Sequence, residues 1–346
     1  MGMGNVVKAI WTLLNGTTSP NVSLIWNLLN GTTNPDVVAL YNNLYQNLEG
    51  AKMGLGKGRK GNVFFVNGGA DGVTTGLDTN SGKTPALAFL TIAHAIALCT
   101  VNDNDDFIYC FNVYNQDAFP ITITGDSIHI IGLAGPDGSW PQMDANADAE
   151  AVFYLPSGIE NCEIAGFSLG AGAAHGCIEL AIGNNMTWIH NCTFGHEWVG
   201  GGQDGVRLVT GTTDNVLVED CWFYGNCAPG GKLTRSGVIS LGTTATRHCT
   251  IRNNYFVRLP GPAIHILGNT AWENSIIHNI IGRGADAQGN AITLNANCEG
   301  CLVSGNEAAF GPTAEAGLTA PYLDQAGGTA NDWCSNQSQE IMKIPA

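Results

Sequence analysis

Ile189-His190-Asn191-Cys192 returns as Val218-Glu219-Asp220-Cys221 and again as Ile251-Arg252-Asn253-Asn254. The series continues in both directions, with Ile164-Ala165-Gly166-Phe167 before it and Ile277-His278-Asn279-Ile280 and Val303-Ser304-Gly305-Asn306 after it. Each copy reads as an apolar anchor, an outward residue, an Asn, Asp or small residue at a bend, and a return inward. The anchors step by 25, 29, 33, 26 and 26 residues, the range in which solenoids repeat. A second strand pattern lies between them: Gly176-Cys177-Ile178-Glu179-Leu180, Gly205-Val206-Arg207-Leu208, Gly237-Val238-Ile239-Ser240, Ala263-Ile264-His265-Ile266 and Ala291-Ile292-Thr293-Leu294. No single copy buries its own core, whereas stacked coils bury a continuous one. Strand alternation then sends each anchor inward and the next side chain outward. Asn191, Asp220, Asn253 and Asn279 are expected at one bend, where Asx side chains bond nearby backbone. Cys192, Cys221 and then Asn254 follow just inside it.

Composition agrees with short strands and tight turns. Of 346 residues 46 are Gly, 44% are hydrophobic and only 12% are charged, about half the usual charged share. The formal net charge of −15 opposes nucleic-acid binding, which draws its affinity from basic surface. No apolar run reaches the ~18 residues of a membrane span. The opening MGMGNVVKAIWTLLNGTT is too polar for a cleavable leader, so no signal peptide is expected. The 11 cysteines then read as reduced, buried small hydrophobes. Cys298 and Cys301 lack the second close pair that a zinc site would want.

Residues 1–49 carry their own repeat. Ile10-Trp11-Thr12-Leu13-Leu14-Asn15-Gly16-Thr17-Thr18-Ser19-Pro20 recurs as Ile25-Trp26-Asn27-Leu28-Leu29-Asn30-Gly31-Thr32-Thr33-Asn34-Pro35, and Leu40-Tyr41-Asn42-Asn43-Leu44 is a degenerate third copy. Ser-Pro and Asn-Pro starts with Asn-Gly ends predict short helices. Such helices are marginal alone. They form either a cap on this chain or a docking element in which Trp11, Leu14, Trp26, Leu29 and Tyr41 meet a partner. Residues 50–62 make a Gly-rich linker carrying Lys52, Lys57, Arg59 and Lys60, a solvated tether or a contact for an acidic surface. Residues 63–310 hold the strands, and residues 311–346 form a C-terminal cap or tail.

From residue 63 the chain resembles right-handed parallel β-helix proteins of the pectate-lyase-like superfamily. Val63-Phe64-Phe65-Val66-Asn67-Gly68-Gly69, Gly76-Leu77-Asp78 and Thr84-Pro85 match the family's opening. Phe89-Leu90-Thr91-Ile92-Ala93-His94-Ala95-Ile96 resembles its capping helix, placed near residues 89–98, and Ser127-Ile128-His129-Ile130-Ile131-Gly132 an early coil. The resemblance implies a right-handed parallel β-helix solenoid, all-β, with a short helical N-terminal element. It is specific for fold and not for activity, because the fold serves lyases, hydrolases, epimerases and the spikes and fibres of bacteriophages.

Hydrolysis of a glycoside needs two carboxylates facing a groove about 5–10 Å apart. The outward column of the second strand, Glu179, Arg207, Ile239, His265 and Thr293, holds one, with Asp204 close by. Glu179, Arg207 and Asp204 are therefore the catalytic candidates, and a surface ion pair is the alternative meaning of Glu179 and Arg207. The other outward column, His190, Glu219, Arg252 and His278, reads as an ion-paired ladder. Asp144, Asn146, Asp148 and Glu150 alternate oxygen ligands and are the candidates for Ca²⁺, although the loop lacks an EF-hand's Gly and distant Glu. No other cofactor is implied. Trp222, Tyr255 and Ile281 are expected to face outward as an oligomer interface, with Trp198 and Tyr224 as glycan contacts.

The combined expectation is a bacteriophage virion structural protein. It would be a fibre, spike or decoration subunit, homotrimeric, assembled in the host cytoplasm and anchored to a capsid or tail protein by residues 1–60. Contact with host surface polysaccharide is compatible with that role. The alternative is a polysaccharide lyase or glycoside hydrolase of the β-helix type.

Overall fold

The computed structural model describes residues 61–69, 76–99, 105–111, 118–134, 140–145, 150–181, 183–195, 202–209, 211–226, 233–241, 244–267, 270–282, 290–309, 322–326 and 331–338. The chain divides between Gly58 and Arg59, and every described residue lies on the C-terminal side of that boundary. The docking candidates Trp11, Leu14, Trp26, Leu29 and Tyr41 lie outside the described residues.

The described residues form a right-handed parallel β-helix. A ten-stranded sheet runs from Val63–Asn67 to Asp332–Cys334, and an eight-stranded second sheet from Ile121–Thr122 to Tyr322–Asp324. An eight-stranded third sheet runs from Gln142–Asp144 to Gln337–Ser338. A fourth, of four strands, joins Gly211–Asp214, Thr244–Arg247, Thr270–Trp272 and Cys298–Glu299. Pairing is parallel from coil to coil, as in Ile164 to Ile189, Ile189 to Val218 and Val218 to Ile251. Among the described residues helix is almost absent. The α-helix Ile92–Ala97 starts at Thr91, whose side chain accepts the His94 N–H, while Asp78 accepts the Leu90 and Thr91 N–H groups. Its apolar face, Ile92, Ala95 and Ile96, is buried in the core with Ile108 and Ile121.

Two left-handed corners bracket six consecutive strands of the ten in the first sheet. They are Asn161 and Gly166, Met186 and Asn191, Asn215 and Asp220, His248 and Asn253, Glu273 and His278, and Gly300 and Gly305. The two corners of each coil are always five residues apart. Asn and Asp tolerate this backbone at least cost among residues with a side chain. His248, Glu273 and Met186 adopt it because the ladder continues through the bend, with the His248 and Glu273 N–H groups donating to the Trp272 and Glu299 carbonyls.

This spacing corrects the register expected near residue 277. Ile276, not Ile277, pairs with Ile251 and Val303 as the fully buried anchor. His278 takes the bend with φ 55°, and Asn279 points inward, fully buried, rather than standing at the bend. Asn279 is fixed there by a ladder. Its Oδ1 accepts from the backbone and side-chain N–H of Asn254, and its Nδ2 donates to Ile251 O and Asn306 Oδ1. Asn306 repeats the pattern with Asn336. Cys221, whose N–H donates to Asn254 Oδ1, precedes the asparagines in the same column. Inside the third sheet the rings of Phe194, Phe223 and Phe256 stack at 4.6 and 4.7 Å.

Asn279→Ala orphans the Asn254 N–H and the Ile251 carbonyl, each at about 1–3 kcal/mol. Asn253→Gly at the neighbouring corner changes stability by less than about 1 kcal/mol. Urea unfolding of the two variants checks this order, and equal midpoints would show that the ladder contributes nothing.

Candidate functional site

The outer face of the second sheet carries a cluster of charged side chains. Tyr154, Glu179, Arg207, Ile239, His265 and Thr293 align on successive coils. Asp204, wholly buried, accepts five hydrogen bonds. Arg207 donates through Nε at 3.0 Å and Nη2 at 2.8 Å. Arg235 donates through Nε at 2.8 Å and also through Nη2, and the Ser236 N–H completes the set at 3.2 Å. Arg207 turns Nη1 to Glu179 at 3.1 Å and to the Ala174 carbonyl at 2.8 Å, while Nη2 reaches Gln203 at 2.8 Å. Glu179 also accepts the Gly176 N–H at 2.9 Å, with His175 Nδ1 3.3 Å away.

Glu179 and Arg207 thus do not form a surface pair. Both are buried, at 8% and 7% exposure. The clasp ties the coils of Glu179, Arg207 and Arg235 together, and its carboxylates already hold donors. The His265 imidazole on the same face is pushed down to about 4, by burial first and then by Arg235, against the pull of Asp204. It is therefore neutral at neutral pH.

A second constellation stands on the first sheet. Glu163 lies between two histidines, with His129 Nδ1 at 2.7 Å from Oε2 and His190 Nε2 at 2.7 Å from Oε1. Phe107 stacks on His129 at 4.4 Å and Trp188 on His190 at 3.9 Å. Burial alone would raise the Glu163 carboxyl, but the hydrogen bonds and charges of both histidines outweigh it and hold it at about 2. Glu219 is engaged by Arg252 Nε and by Trp188 Nε1 at 2.9 Å. The expected ladder of His190, Glu219, Arg252 and His278 is corrected twice. His190 turns to Glu163 instead of Glu219, and Ile277 replaces His278 because His278 occupies the corner.

The outer face of the third sheet is apolar over three coils, between Thr193 on one side and Glu307 on the other. Trp222 pairs with Tyr255 and Tyr255 with Ile280 on successive coils. Trp222 and Ile280 are 47% and 45% exposed. Ile281, expected outward, is buried, because the one-residue shift at Ile276 gives the outward place to Ile280. The Trp222 ring lies 4.5 Å from Tyr255 and 6.1 Å from Tyr224, which is half-buried. Trp198 lies outside the described residues.

Of the Ca²⁺ candidates, Asn146 and Asp148 lie outside the described residues. Asp144 is half-buried at the end of a third-sheet strand, and Glu150 lies 3.9 Å from His175. Among the described residues no group of three or more His, Cys, Asp or Glu side chains could hold a metal ion. Sequence reasoning passed over Glu163, His129, Trp188 and Arg235. The signal for Glu163 and Trp188 was the position one before the anchor, which faces outward as surely as the one after it. The signal for Arg235 was its alignment with Gln203, one residue before the strand.

Residues 146–308 match the family model described as a right handed beta helix region. No curated protein matches the chain. Among solved structures, a pectin methylesterase in complex with a hexasaccharide is 10% identical, with TM-score 0.43, covering 75% of this chain and 87% of that one. The Dettilon tailspike protein is 14% identical, with TM-score 0.42, covering 80% of this chain and 62% of its own. A rhamnogalacturonan lyase is 12% identical, with TM-score 0.38, covering 72% and 74%. These likenesses concern the fold.

The clasp and the Glu163 bridge each generate a test. Asp204→Asn weakens its hold on two guanidinium groups and lowers stability by about 3–5 kcal/mol, read from urea unfolding; an unchanged midpoint would make the clasp dispensable. Glu163 has a folded value below the usual 4.5, so its stabilisation is complete above about 4.5 and disappears as pH falls through about 2. The thermal midpoint of the natural chain should drop across that window, and Glu163→Gln should flatten that part of the profile.

Proposed function

We propose that this right-handed parallel β-helix is a structural subunit of a bacteriophage virion, a fibre, spike or decoration. In this reading residues 1–60 dock on the particle, and the outer face of the third sheet packs against identical copies in a homotrimer. The observation that carries the reading is the stripe of Trp222, Tyr255 and Ile280, apolar and outward on three successive coils. Exposed apolar patches of this kind on an otherwise polar surface mark association surfaces. The charged outer faces support the same view. Asp204, Glu163 and Glu219 already hold partners that brace neighbouring coils, which is the work of a rod. Tyr224, beside the stripe, is the glycan contact in this reading.

A second reading, a polysaccharide lyase or glycoside hydrolase, is favoured by one observation. Glu179, Arg207, Asp204 and a neutral His265 gather on a single outer face, and acid–base chemistry draws on such groupings.

Light scattering on the full chain decides between them when paired with a polysaccharide panel. A trimer mass that falls to the monomer in Trp222→Glu and in Tyr255→Glu, with the β-sheet circular dichroism retained, is the expected result. A monomeric natural chain would overturn the appendage reading. Release of reducing ends or unsaturated sugars, lost in Glu179→Gln, would establish the enzyme.

A further inference from the structure

At one corner of the solenoid the inward column turns polar for three coils. Asn185 bridges Asp214, and the Asp214 N–H donates to the Asn184 carbonyl at 3.1 Å. That register stacks Asn184 beneath Thr213, and Thr213 pairs with Thr246 on the next coil. All three are fully buried. Thr187, three residues beyond Asn184 on the same coil, is fully buried as well. The column is closed by apolar residues, Ile159 below Asn184 and Ala271 above Thr246.

Four oxygens at this corner, Asn184 Oδ1, Thr187 Oγ1, Thr213 Oγ1 and Thr246 Oγ1, have no hydrogen-bond partner in the protein. The Asn184 amide cannot turn round to relieve its own oxygen, because its Nδ2 is already committed to the Leu155 and Ala181 carbonyls. Leaving a buried polar group unpaired is costly, and four at one corner are not scattered accidents of packing. Rung spacing explains why they do not satisfy one another. Coils lie ~4.8 Å apart, whereas a hydroxyl hydrogen bond closes at about 2.7–2.8 Å. A third oxygen placed between two rungs spans up to ~5.5 Å at that bond length.

We infer that this corner binds a file of ordered internal waters, one bridging Asn184 to Thr213 and one bridging Thr213 to Thr246. Water supplies the donor that Asn184 Oδ1 requires and can give to or accept from each hydroxyl. All four oxygens are neutral, with no carboxylate among them to favour a divalent cation. The corner is a polar seam inside a wall of Ile, Val and Phe, and the file makes each coil's polar residue a partner of the next.

A crystal structure of the full chain, at a resolution that shows solvent, tests the file directly. Density is expected between the named oxygens, about 2.8 Å from each. Thermal midpoints of Thr213→Val, Thr246→Val and the double variant give an independent readout. Bridging water predicts that each single variant melts lower than the natural chain, and that the double variant loses less than the two losses added. A dry corner would show no density, and each valine, by removing an orphaned hydroxyl, would raise the midpoint. A midpoint that rises in sodium or potassium chloride but not in choline chloride would assign the corner to a monovalent cation and overturn the water.

Discussion

The two left-handed corners of every coil from Asn161 to Gly305 enclose four residues, and that interval sets the rest of the molecule. It fixes a short strand whose central side chain must point inward, because the residues on either side of it lean out toward solvent. Stacking then repeats the same inward position along the axis, where Ile164, Ile189, Val218, Ile251, Ile276 and Val303 form one continuous line. The corners also decide which side chains can serve as ladders, since the residue after each second corner turns back into the core.

That return position holds two different kinds of chemistry. Phe167 and the thiols of Cys192 and Cys221 occupy it early, and the amides of Asn254, Asn279, Asn306 and Asn336 occupy it later. A thiol fills space and asks little of its neighbours. An amide must be satisfied on both ends, and it succeeds here because the neighbouring coil presents an identical amide in register. Parallel in-register stacking thus turns a polar residue that would burden an ordinary core into a binding element between coils. The threonine and asparagine corner at Asn184, Thr213 and Thr246 is the same device with side chains too short to meet.

The outer faces divide by sheet. The second sheet clamps three coils with the Asp204 carboxylate between two guanidinium groups, and the first does so with Glu163 between two imidazoles. Glu163 takes one histidine from the coil on either side. Asp204 takes Arg207 of its own strand and Arg235 of the next coil, and Arg207 reaches Glu179 on the coil before. Both arrangements hold coils in register. The third sheet uses no charge at all at Trp222, Tyr255 and Ile280. Charge is therefore spent on internal bracing, while the apolar stripe is left facing out.

Much of this was legible in the residues themselves. Repeat length, alternation and the Asx corners specify a parallel solenoid, because each is a local property of a few adjacent residues. The second-strand column of Glu179, Arg207, Ile239, His265 and Thr293 could be read for the same reason. What periodicity could not decide was register where two neighbours are equally apolar. Ile276 and Ile277 are indistinguishable as anchors, and so are Ile280 and Ile281 as outward residues, until Asn279 is seen bonded into a ladder that only its inward position reaches. Tertiary structure likewise decided that Glu179 and Arg207 are buried and that His190 turns to Glu163. Burial and partner choice depend on what the neighbouring coils bring alongside, and no stretch of sequence carries that by itself.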